Sequence, residues 1–327
     1  MAVINMIEAI NQALAGELEH DERVLILGED VGHAGGVFRA TDGLQARFGE
    51  RRVIDTPLAE SAIIGASVGL AARGLRPVAE IQFLGFIYET MDQLASQAAR
   101  MRLRTAGRIH LPMVVRSPYG GGVRTPELHS DSLEGLFLHS PGIKVVMPSS
   151  PYDAKGLLIA AIRDPDPVLF LEPMKLYRAF KEEVPEDSYT VEIGKAKVVQ
   201  EGEDLTLITW GAAAPVATAA AKAWQDKHGG SIEVIDLRTI VPMDEEAIVK
   251  SVEKTGRAMI VHEAVKSGGA GAEVAAIISE KCMFSLLAPI LRVTGFDTPY
   301  PAFSVEDDWL PNATRITAAI QEMLSYR

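Results

Sequence analysis

Residues 52–86 read RVIDTPLAESAIIGASVGLAARGLRPVAEIQFLGF and contain the clearest pattern of secondary structure in the sequence. A short β-branched run up to Asp55 is typical of a strand, and the Ala- and Gly-rich segment 61–72 predicts a helix. Residues 76–86 predict the next strand. A strand, a helix and a second strand in this order predict a parallel sheet with helices packed on its faces.

The same alternation continues on both sides of this unit and defines a first domain, residues 1–180. Further strands are predicted at 23–31, 111–118, 143–150 and 167–173, and helices at 1–21, 87–104 and 151–164. We therefore expect an open, mostly parallel α/β domain.

A charged segment without hydrophobic periodicity, residues 181–193, is predicted to be a linker, and Pro185 supports this. A second open α/β domain follows over residues 194–327. Its strands are predicted at 204–211, 232–240, 258–264 and 290–296, and its helices at 213–227, 244–255, 270–284 and from Asn312 onward. The expected fold class is α/β with two open α/β domains.

The composition excludes several classes of protein. A net charge of −12 and a pI near 5.1 argue against a nucleic-acid surface. Cys282 is the only cysteine, which excludes an internal disulfide and fits a reducing compartment. The amino-terminal residues do not resemble a signal peptide, and no apolar run reaches the roughly 18 residues of a membrane span. We expect a cytoplasmic protein with no nucleic-acid or membrane partner.

Glu60 is the only charged residue between Pro57 and Ala72. A solvated helix carries charges every few residues, so this helix is expected to be buried on nearly all sides. An unpaired buried carboxylate is costly. One interpretation is a cap, since Thr56-Pro57 is a helix start signal, although a capping box would place the carboxylate at residue 59. The other is a bound ligand whose nitrogen shares a proton with Glu60.

A glycine-rich loop carries the second candidate. Residues 116–134 read RSPYGGGVRTPELHSDSLE and follow a predicted strand. Three consecutive glycines allow a close approach that side chains would block. His129 in this loop is either a solvated histidine or a site residue, because open α/β sheets bind ligands where their strands end. A metal site there is not indicated, since no second histidine lies at ligand spacing on a helix.

Two familiar motifs are incomplete or absent. Residues 268–274, GGAGAEV, lack the third glycine and the acidic residue of a dinucleotide fingerprint, so a tight turn is the better interpretation. No GxxxxGKS or GxxxxGKT loop occurs, which argues against nucleotide hydrolysis. By pattern alone, Phe83, Phe86 and Tyr88 are predicted to be core aromatics.

Several long segments, in fixed order, resemble one family. DTPLAES, AEIQFLGFIYETMDQ, RSPYGGGVRTPELHSDSLEG and PYDAKGLLIAAIRDPDP with FLEP are similar to the β subunit of the E1 component of 2-oxo acid dehydrogenase complexes. VIDLRTIVPMD, SVEKTGRAMIVHEA and LRVTGFDTPYP resemble its C-terminal domain. The resemblance implies a transketolase-like domain that binds the pyrimidine of thiamine diphosphate, followed by a transketolase C-terminal-like domain.

The resemblance also implies roles for individual residues. Glu60 would share a proton with N1′ of the aminopyrimidine ring, which prepares the coenzyme to attack the keto carbon of a 2-oxo acid. Phe86 would stack on that ring, and Leu58 and Gln82 would line the same pocket. His129 would orient the substrate and donate a proton during acyl transfer to the lipoyl group.

A potassium site is implied in the same way, built largely from backbone oxygens. The matching residues are Met113, Ala161, Ile162, Asp164 and Asp166. Members of the family often carry Asn where this chain has Asp166, and either residue offers a carbonyl oxygen.

A missing motif implies a partner. Thiamine enzymes usually hold the diphosphate and Mg²⁺ through a Gly-Asp-Gly run, and no such run occurs in this chain. The chain is therefore expected to supply only the pyrimidine half of the site, with an E1 α subunit supplying the diphosphate half in an α2β2 heterotetramer. The lipoyl domain and the basic subunit-binding domain of the E2 acyltransferase are further expected partners, the latter suited to an acidic C-terminal domain.

Pyruvate is the expected substrate, because the FLGF and PELHSDS segments are similar to bacterial pyruvate-type subunits. A branched-chain 2-oxo acid remains an alternative, although that type often has Tyr in place of Phe86, and so does acetoin. One half of a split transketolase or deoxyxylulose-phosphate synthase would need basic residues for phosphate, and Arg124 is the only Lys or Arg between Arg116 and Lys144. An electron-transfer or scaffolding subunit would need a flavin or AMP site.

Overall fold

The computed structural model describes residues 1–326. The strands are β1 Ala2–Ile4, β2 Val24–Gly28, β3 Val53–Asp55, β4 Arg76–Glu80, β5 Val114–Tyr119, β6 Lys144–Val146, β7 Val168–Pro173, β8 Glu182–Val184, β9 Lys197–Gln200, β10 Leu205–Thr209, β11 Ile232–Asp236, β12 Thr239–Val241, β13 Ala258–Val265 and β14 Leu291–Gly295. The α-helices are α1 Met6–His20, α2 Leu44–Phe48, α3 Glu60–Ala72, α4 Ala99–Arg104, α5 Glu134–Leu138, α6 Pro151–Arg163, α7 Ala213–His228, α8 Glu245–Thr255, α9 Ala270–Cys282, α10 Glu306–Trp309 and α11 Ala313–Ser325. Within residues 1–326, no helix combines the length and apolar character needed to cross a membrane.

The first sheet has seven strands in the order β12, β6, β7, β5, β4, β2, β3. Its neighbouring strands are parallel except for β12 and β6. A parallel sheet is covered on both faces, so its strands are apolar throughout. In β2, Val24 and Ile26 pack in the core under α1 and α6, while Leu25 and Leu27 pack in the core under α3. The expected α/β architecture is confirmed.

The second sheet has five strands in the order β14, β13, β10, β11, β9. Only β9 runs antiparallel to its neighbour among these described strands. Leu207, Val234 and Met259 lie in a separate core cluster with residues of α7 and α11. The two larger sheets are therefore each covered by their own helices, and β1 and β8 form a separate two-stranded sheet.

One strand crosses between the halves. Residues 232–240 were expected to form a single strand of the second domain, and this prediction is wrong. The backbone turns after Asp236, whose carboxylate accepts the Arg238 N–H at 3.0 Å, and Arg238 has a φ of +54°. The following strand, β12, then pairs with β6 of the first sheet.

Two other predictions need correction. The strand expected at 76–86 ends at Glu80, and Leu84–Thr90 forms a 3₁₀-helix in which Gly85 lies against the loop carbonyl of Leu128. The single helix expected at 87–104 is split, with a π-helix at Asp92–Ala98 before α4. In addition, the predicted linker is not wholly irregular, since β8 lies within it and pairs with β1.

Candidate active site

Glu60 is the first residue of α3, directly beyond the carboxyl end of β3. Its side chain is 7% exposed, and no residue within 1–326 forms a hydrogen bond or ion pair with its carboxylate. The cap interpretation is wrong, because Ala59 precedes the helix and Thr56 lies three residues further back. A buried carboxylate at a helix start without a partner in the described chain points to a ligand donor.

The outer face of α3 differs from the sequence expectation. Burial on nearly all sides was expected, but a row of small residues is exposed: Ala62, Gly65, Ala66, Gly69 and Ala72. The inner face, including Ile63 and Ile64, packs in the core as expected. The helix lacks charge because its outer face is small and apolar, and not because the chain itself covers that face.

An aromatic cluster lies next to α3. The segment 84–90 packs against α3 on one side and against the turn 127–129 on the other. The ring of His129 lies 4.5 Å from that of Phe83 and 5.2 Å from that of Phe86, in edge contacts. The topology thus joins the Glu60 helix, the aromatic segment and the His129 turn at one edge of the first sheet.

His129 is half-buried, and its Nδ1 is buried without a hydrogen-bond partner in residues 1–326. The solvated-loop interpretation therefore does not hold. Of the three predicted core aromatics, Phe83 is buried, Phe86 is only partly buried, and Tyr88 is 51% exposed, so the core prediction is wrong for Tyr88. Phe86 and His129 are each only partly buried, so this cluster retains surface that a ligand can contact, although the Nδ1 atom of His129 is itself buried.

The two remaining pocket candidates lie on loops at the same edge. Leu58 is 70% exposed and lies in the turn between β3 and α3. Gln82 is half-buried and follows β4. The exposed Leu58 and the buried carboxylate of Glu60 therefore place an apolar and an acidic group close together at this edge of the first sheet.

A buried ion network at this edge was missed by sequence reasoning. Arg116 donates to both Glu172 oxygens, at 2.6 and 2.9 Å, and to Glu80 at 2.8 Å, and Tyr177 donates to Glu172 at 2.7 Å. Burial raises the pKa of Glu80, and the charge of Arg116 counteracts this. The available signal was a single charged residue within β5 and within β7, together with Glu80 at the end of β4.

The predicted potassium residues lie at the opposite edge of the sheet. Met113 directly precedes β5 and Asp166 lies just before β7, so both residues lie at the amino ends of these parallel strands. The length of β5 separates this edge from the carboxyl end of the strand by about 17 Å. Asp164 accepts from Lys144, and Asp166 from Arg102 at 2.5 Å. A cavity of about 320 Å³ opens beside them. Within residues 1–326, no cluster of three or more His, Cys, Asp or Glu side chains is arranged to hold a metal.

The backbone oxygens of this set already accept hydrogen bonds. Arg76 Nη1 donates to the carbonyl oxygen of Ile162 at 2.7 Å and to that of Asp164 at 3.4 Å, and the carbonyl oxygen of Ala161 accepts from the Asp164 N–H. Met113 O accepts from the Val168 N–H across the sheet. Each carbonyl oxygen keeps a second lone pair, so a hard cation remains compatible with this set.

Comparison with known families defines the class of the chain. The family described as "Transketolase, pyrimidine binding domain" matches residues 2–179, and "Transketolase, C-terminal domain" matches residues 194–316. A solved structure titled "Split gene transketolase, inactive beta4 tetramer" has a TM-score of 0.81 with 22% identity, covering 99% of each chain. At this identity the likeness shows the fold alone. The chain has the two-domain transketolase architecture.

Closer relatives narrow this class. The chain is 57% identical over 326 residues to "Pyruvate dehydrogenase E1 component subunit beta" of Bacillus subtilis, with 100% of both chains covered. The proteins of the same name from Staphylococcus aureus and Staphylococcus epidermidis are each 56% identical over the same length. The chain belongs to the family of pyruvate dehydrogenase E1 component β subunits, and the resemblance seen in the sequence is confirmed.

Proposed function

We propose that this chain is the β subunit of a thiamine diphosphate-dependent 2-oxo acid dehydrogenase E1, which decarboxylates pyruvate and reductively acylates the lipoyl group of E2. The observation that carries the proposal is the full-length identity to subunits of that name, 57% in the first case. Pyruvate is favoured over a branched-chain acid or acetoin because these relatives are named for pyruvate. The transketolase alternative has only the shared fold in its support.

Glu60 is the residue that fits the coenzyme. Its buried carboxylate has no partner within residues 1–326, and an aminopyrimidine nitrogen would supply the missing donor. When bound, thiamine diphosphate serves as the electron sink that lets a 2-oxo acid lose CO₂. Glu60 holds and returns a proton at the pyrimidine nitrogen, while Phe86, Leu58 and Gln82 offer the aromatic, apolar and amide groups around that ring.

His129 is proposed to act on the substrate. Its half-buried ring packs against Phe86, and no side chain within residues 1–326 forms a hydrogen bond with either ring nitrogen, so the imidazole can exchange a proton with a bound group. A proton delivered there would serve acyl transfer to the lipoyl group. His129→Ala should therefore slow reductive acylation of lipoyl more than decarboxylation measured with an artificial acceptor. Equal losses in the two assays would place His129 in the common decarboxylation step instead.

An E1 α subunit is proposed to complete the site. This chain has no Gly-Asp-Gly run for the diphosphate and Mg²⁺, and the uncharged outer face of α3 suits a subunit interface. The proposed assembly is an α2β2 heterotetramer. E2 would dock through its basic subunit-binding domain and its lipoyl domain, and an affinity for the basic domain that did not fall with salt would contradict an electrostatic contribution.

Potassium is proposed to have a structural role, since its candidate residues lie at the edge of the sheet away from Glu60. An ion on the carbonyls of Met113, Ala161, Ile162, Asp164 and Asp166 would tie the end of α6 to the start of β5. Replacing K⁺ by Li⁺ at constant ionic strength should lower Tm, because Li⁺ is too small to span those oxygens. An unchanged Tm would remove potassium from the proposal.

The deciding experiment measures thiamine diphosphate-dependent oxidation of pyruvate and of a branched-chain 2-oxo acid. This chain is assayed alone, with its candidate α subunit, and with the α subunit alone as a control. We expect activity only from the combined subunits and a preference for pyruvate. Activity from this chain alone would contradict the half-site argument, and a branched-chain preference would change the substrate.

A further inference from the structure

The loop that leads to His129 is fastened to the C-terminal domain by its backbone. The Gly121 N–H donates to Glu263 Oε1, and the Gly122 N–H donates to Glu306 Oε1 at 2.9 Å. Glu263 lies near the end of β13 and Glu306 begins α10. Two elements of the second domain therefore converge on two consecutive amides of the first.

These two acceptors are deeply buried. Glu263 is 7% exposed and Glu306 is 1% exposed, and neither forms an ion pair with Lys or Arg in residues 1–326. Burial raises the pKa of Glu263 to about 7, with the Gly121 N–H opposing the shift. Tyr300 donates to Glu306 Oε1 at 2.6 Å. Buried carboxylates without a direct ion-pair partner depend on such donors, so these hydrogen bonds and the order of the loop support each other.

The close approach explains the three glycines. A Cβ at Gly121 would lie 1.6 Å from the Tyr300 hydroxyl oxygen, and one at Gly122 would lie 2.6 Å from the Lys175 side chain. At Gly120, a Cβ would lie 2.9 Å from the carboxylate of Glu263 and φ is +85°. Only glycine lets this backbone reach the second domain.

A peripheral contact adds little to this attachment. Arg124 donates to the Phe303 carbonyl at 3.1 Å and to Asp307 at 2.9 Å. Both side chains of the Arg124–Asp307 pair are more than half exposed, and exposed pairs contribute weakly. The buried carboxylates are the main attachment points.

The attachment bears on His129 because no polar side chain within residues 1–326 holds its ring nitrogens. The ring is kept in place by Phe83 and Phe86 and by the course of its own backbone. We propose that Glu263 and Glu306 are positioning residues, which fix the glycine loop so that His129 stays against this aromatic pair. The inference rests on the proposed function for its catalytic consequence, while the loop attachment itself does not.

Hydrogen–deuterium exchange on the assembled α2β2 enzyme tests the attachment. In Glu306→Ala, amides of residues 120–124 should exchange roughly tenfold faster than in the wild type, because an acceptor is lost. Glu306→Gln keeps an acceptor oxygen and should restore most of the protection. Asp308→Ala is the matched control, since this exposed neighbour on α10 forms no hydrogen bond or ion pair within residues 1–326.

The two partial reactions test the positioning role on the same variants. Glu306→Ala should lose lipoyl acylation about tenfold more than decarboxylation with an artificial acceptor, as expected for His129→Ala, and Glu306→Gln should recover most of it. Glu263→Ala, on a different element, should act in the same way and serves if the first variant does not fold.

Unchanged exchange in folded Glu306→Ala and Glu263→Ala would overturn the attachment. Faster exchange with equal losses in both partial reactions would overturn the positioning of His129. A wild-type tetramer without 2-oxo acid activity would instead contradict the proposed function, and the exchange comparison would still decide whether the carboxylates hold the loop.

Discussion

The two sheets hold buried carboxylates at their carboxyl ends in different ways. In the first sheet, Glu80 and Glu172 share the guanidinium of Arg116. In the second, Asp236 and Glu263 accept chiefly from hydroxyl and backbone N–H groups, and burial raises the pKa of each to about 7. The carboxylates of the first sheet are stabilised by the positive charge of Arg116, whereas those of the second are stabilised by the dipoles of neutral hydrogen-bond donors.

The two arrangements also differ in which parts of the chain they connect. The ion pairs of Arg116 with Glu80 and Glu172 join residues of three adjacent strands of the first sheet. The donors to Asp236 and Glu263 include Ser149 and Gly121, which belong to the other half of the chain. These two contacts between the halves thus involve acids whose raised pKa lies near neutral pH, while the edge that carries Glu60 contains carboxylates paired directly with a guanidinium.

Glu60 has neither a guanidinium partner nor a hydrogen-bond donor within residues 1–326, and its substitution is expected to have the largest effect on activity. Glu60→Gln should fold normally but lose about 1000-fold in turnover with the α subunit, because an amide cannot hold the shared proton. Turnover and the thermal melting curve would be measured on the same preparation. Turnover close to wild type would remove Glu60 from its proposed role.

Breaking the first arrangement should have the next largest effect. Arg116→Met leaves two buried carboxylates without a counter-ion and should lower the free energy of unfolding by about 3 kcal/mol. Urea denaturation measures this loss, and a loss below about 1 kcal/mol would mean that other groups neutralise Glu80 and Glu172.

The second arrangement is probed by pH. The pKa of Asp236 is raised from 3.8 to about 7, so the folded state binds this proton more tightly than the unfolded state. The stability that this proton contributes is complete below the unfolded pKa and is lost as pH rises through the folded pKa. The wild type therefore loses this contribution between about pH 5 and about pH 8, whereas Asp236→Asn does not. The stability of Asp236→Asn relative to the wild type should be about 2 kcal/mol more favourable at about pH 8 than at about pH 5. A difference that does not vary with pH would contradict the raised pKa.

The smallest effect on stability is expected at an exposed ion pair, which serves as a reference for the buried ones. Arg47 pairs with Glu19, and both side chains are more than half exposed. Arg47→Ala should change the free energy of unfolding by less than about 0.5 kcal/mol, because solvent and salt screen such pairs. A loss near that of Arg116→Met would show that burial is not what distinguishes the two.

The sequence predicts regular elements well where one pattern dominates. The helix expected at 213–227 is found at Ala213–His228, and the one expected at 244–255 at Glu245–Thr255. It fails where tertiary contacts override local pattern. The helix expected at 87–104 is split at Ala99, where Gly142 packs against the backbone, and the chain turns after Asp236, whose carboxylate accepts from Ser149 of the first half.

The candidate site was reached from the sequence only in part. Glu60 is visible because it is a lone charge in an apolar segment, and His129 because it follows three glycines. The Arg116 network and the carboxylates that hold the glycine loop were not found. Such contacts join residues up to 184 positions apart, and no local periodicity in the sequence indicates them.

Because β12 of the second half pairs with β6 of the first sheet, the two halves of the chain are held together by more than their covalent linker. A protease cut within residues 181–193 would leave two fragments that remain associated, because β12 still pairs with β6 and closes the edge of that sheet. Residues 1–180 produced alone would instead present β6 as a bare edge strand, which is open to pairing with other molecules. Production of the halves together in one cell is therefore expected to yield dispersed protein where the first half alone would aggregate.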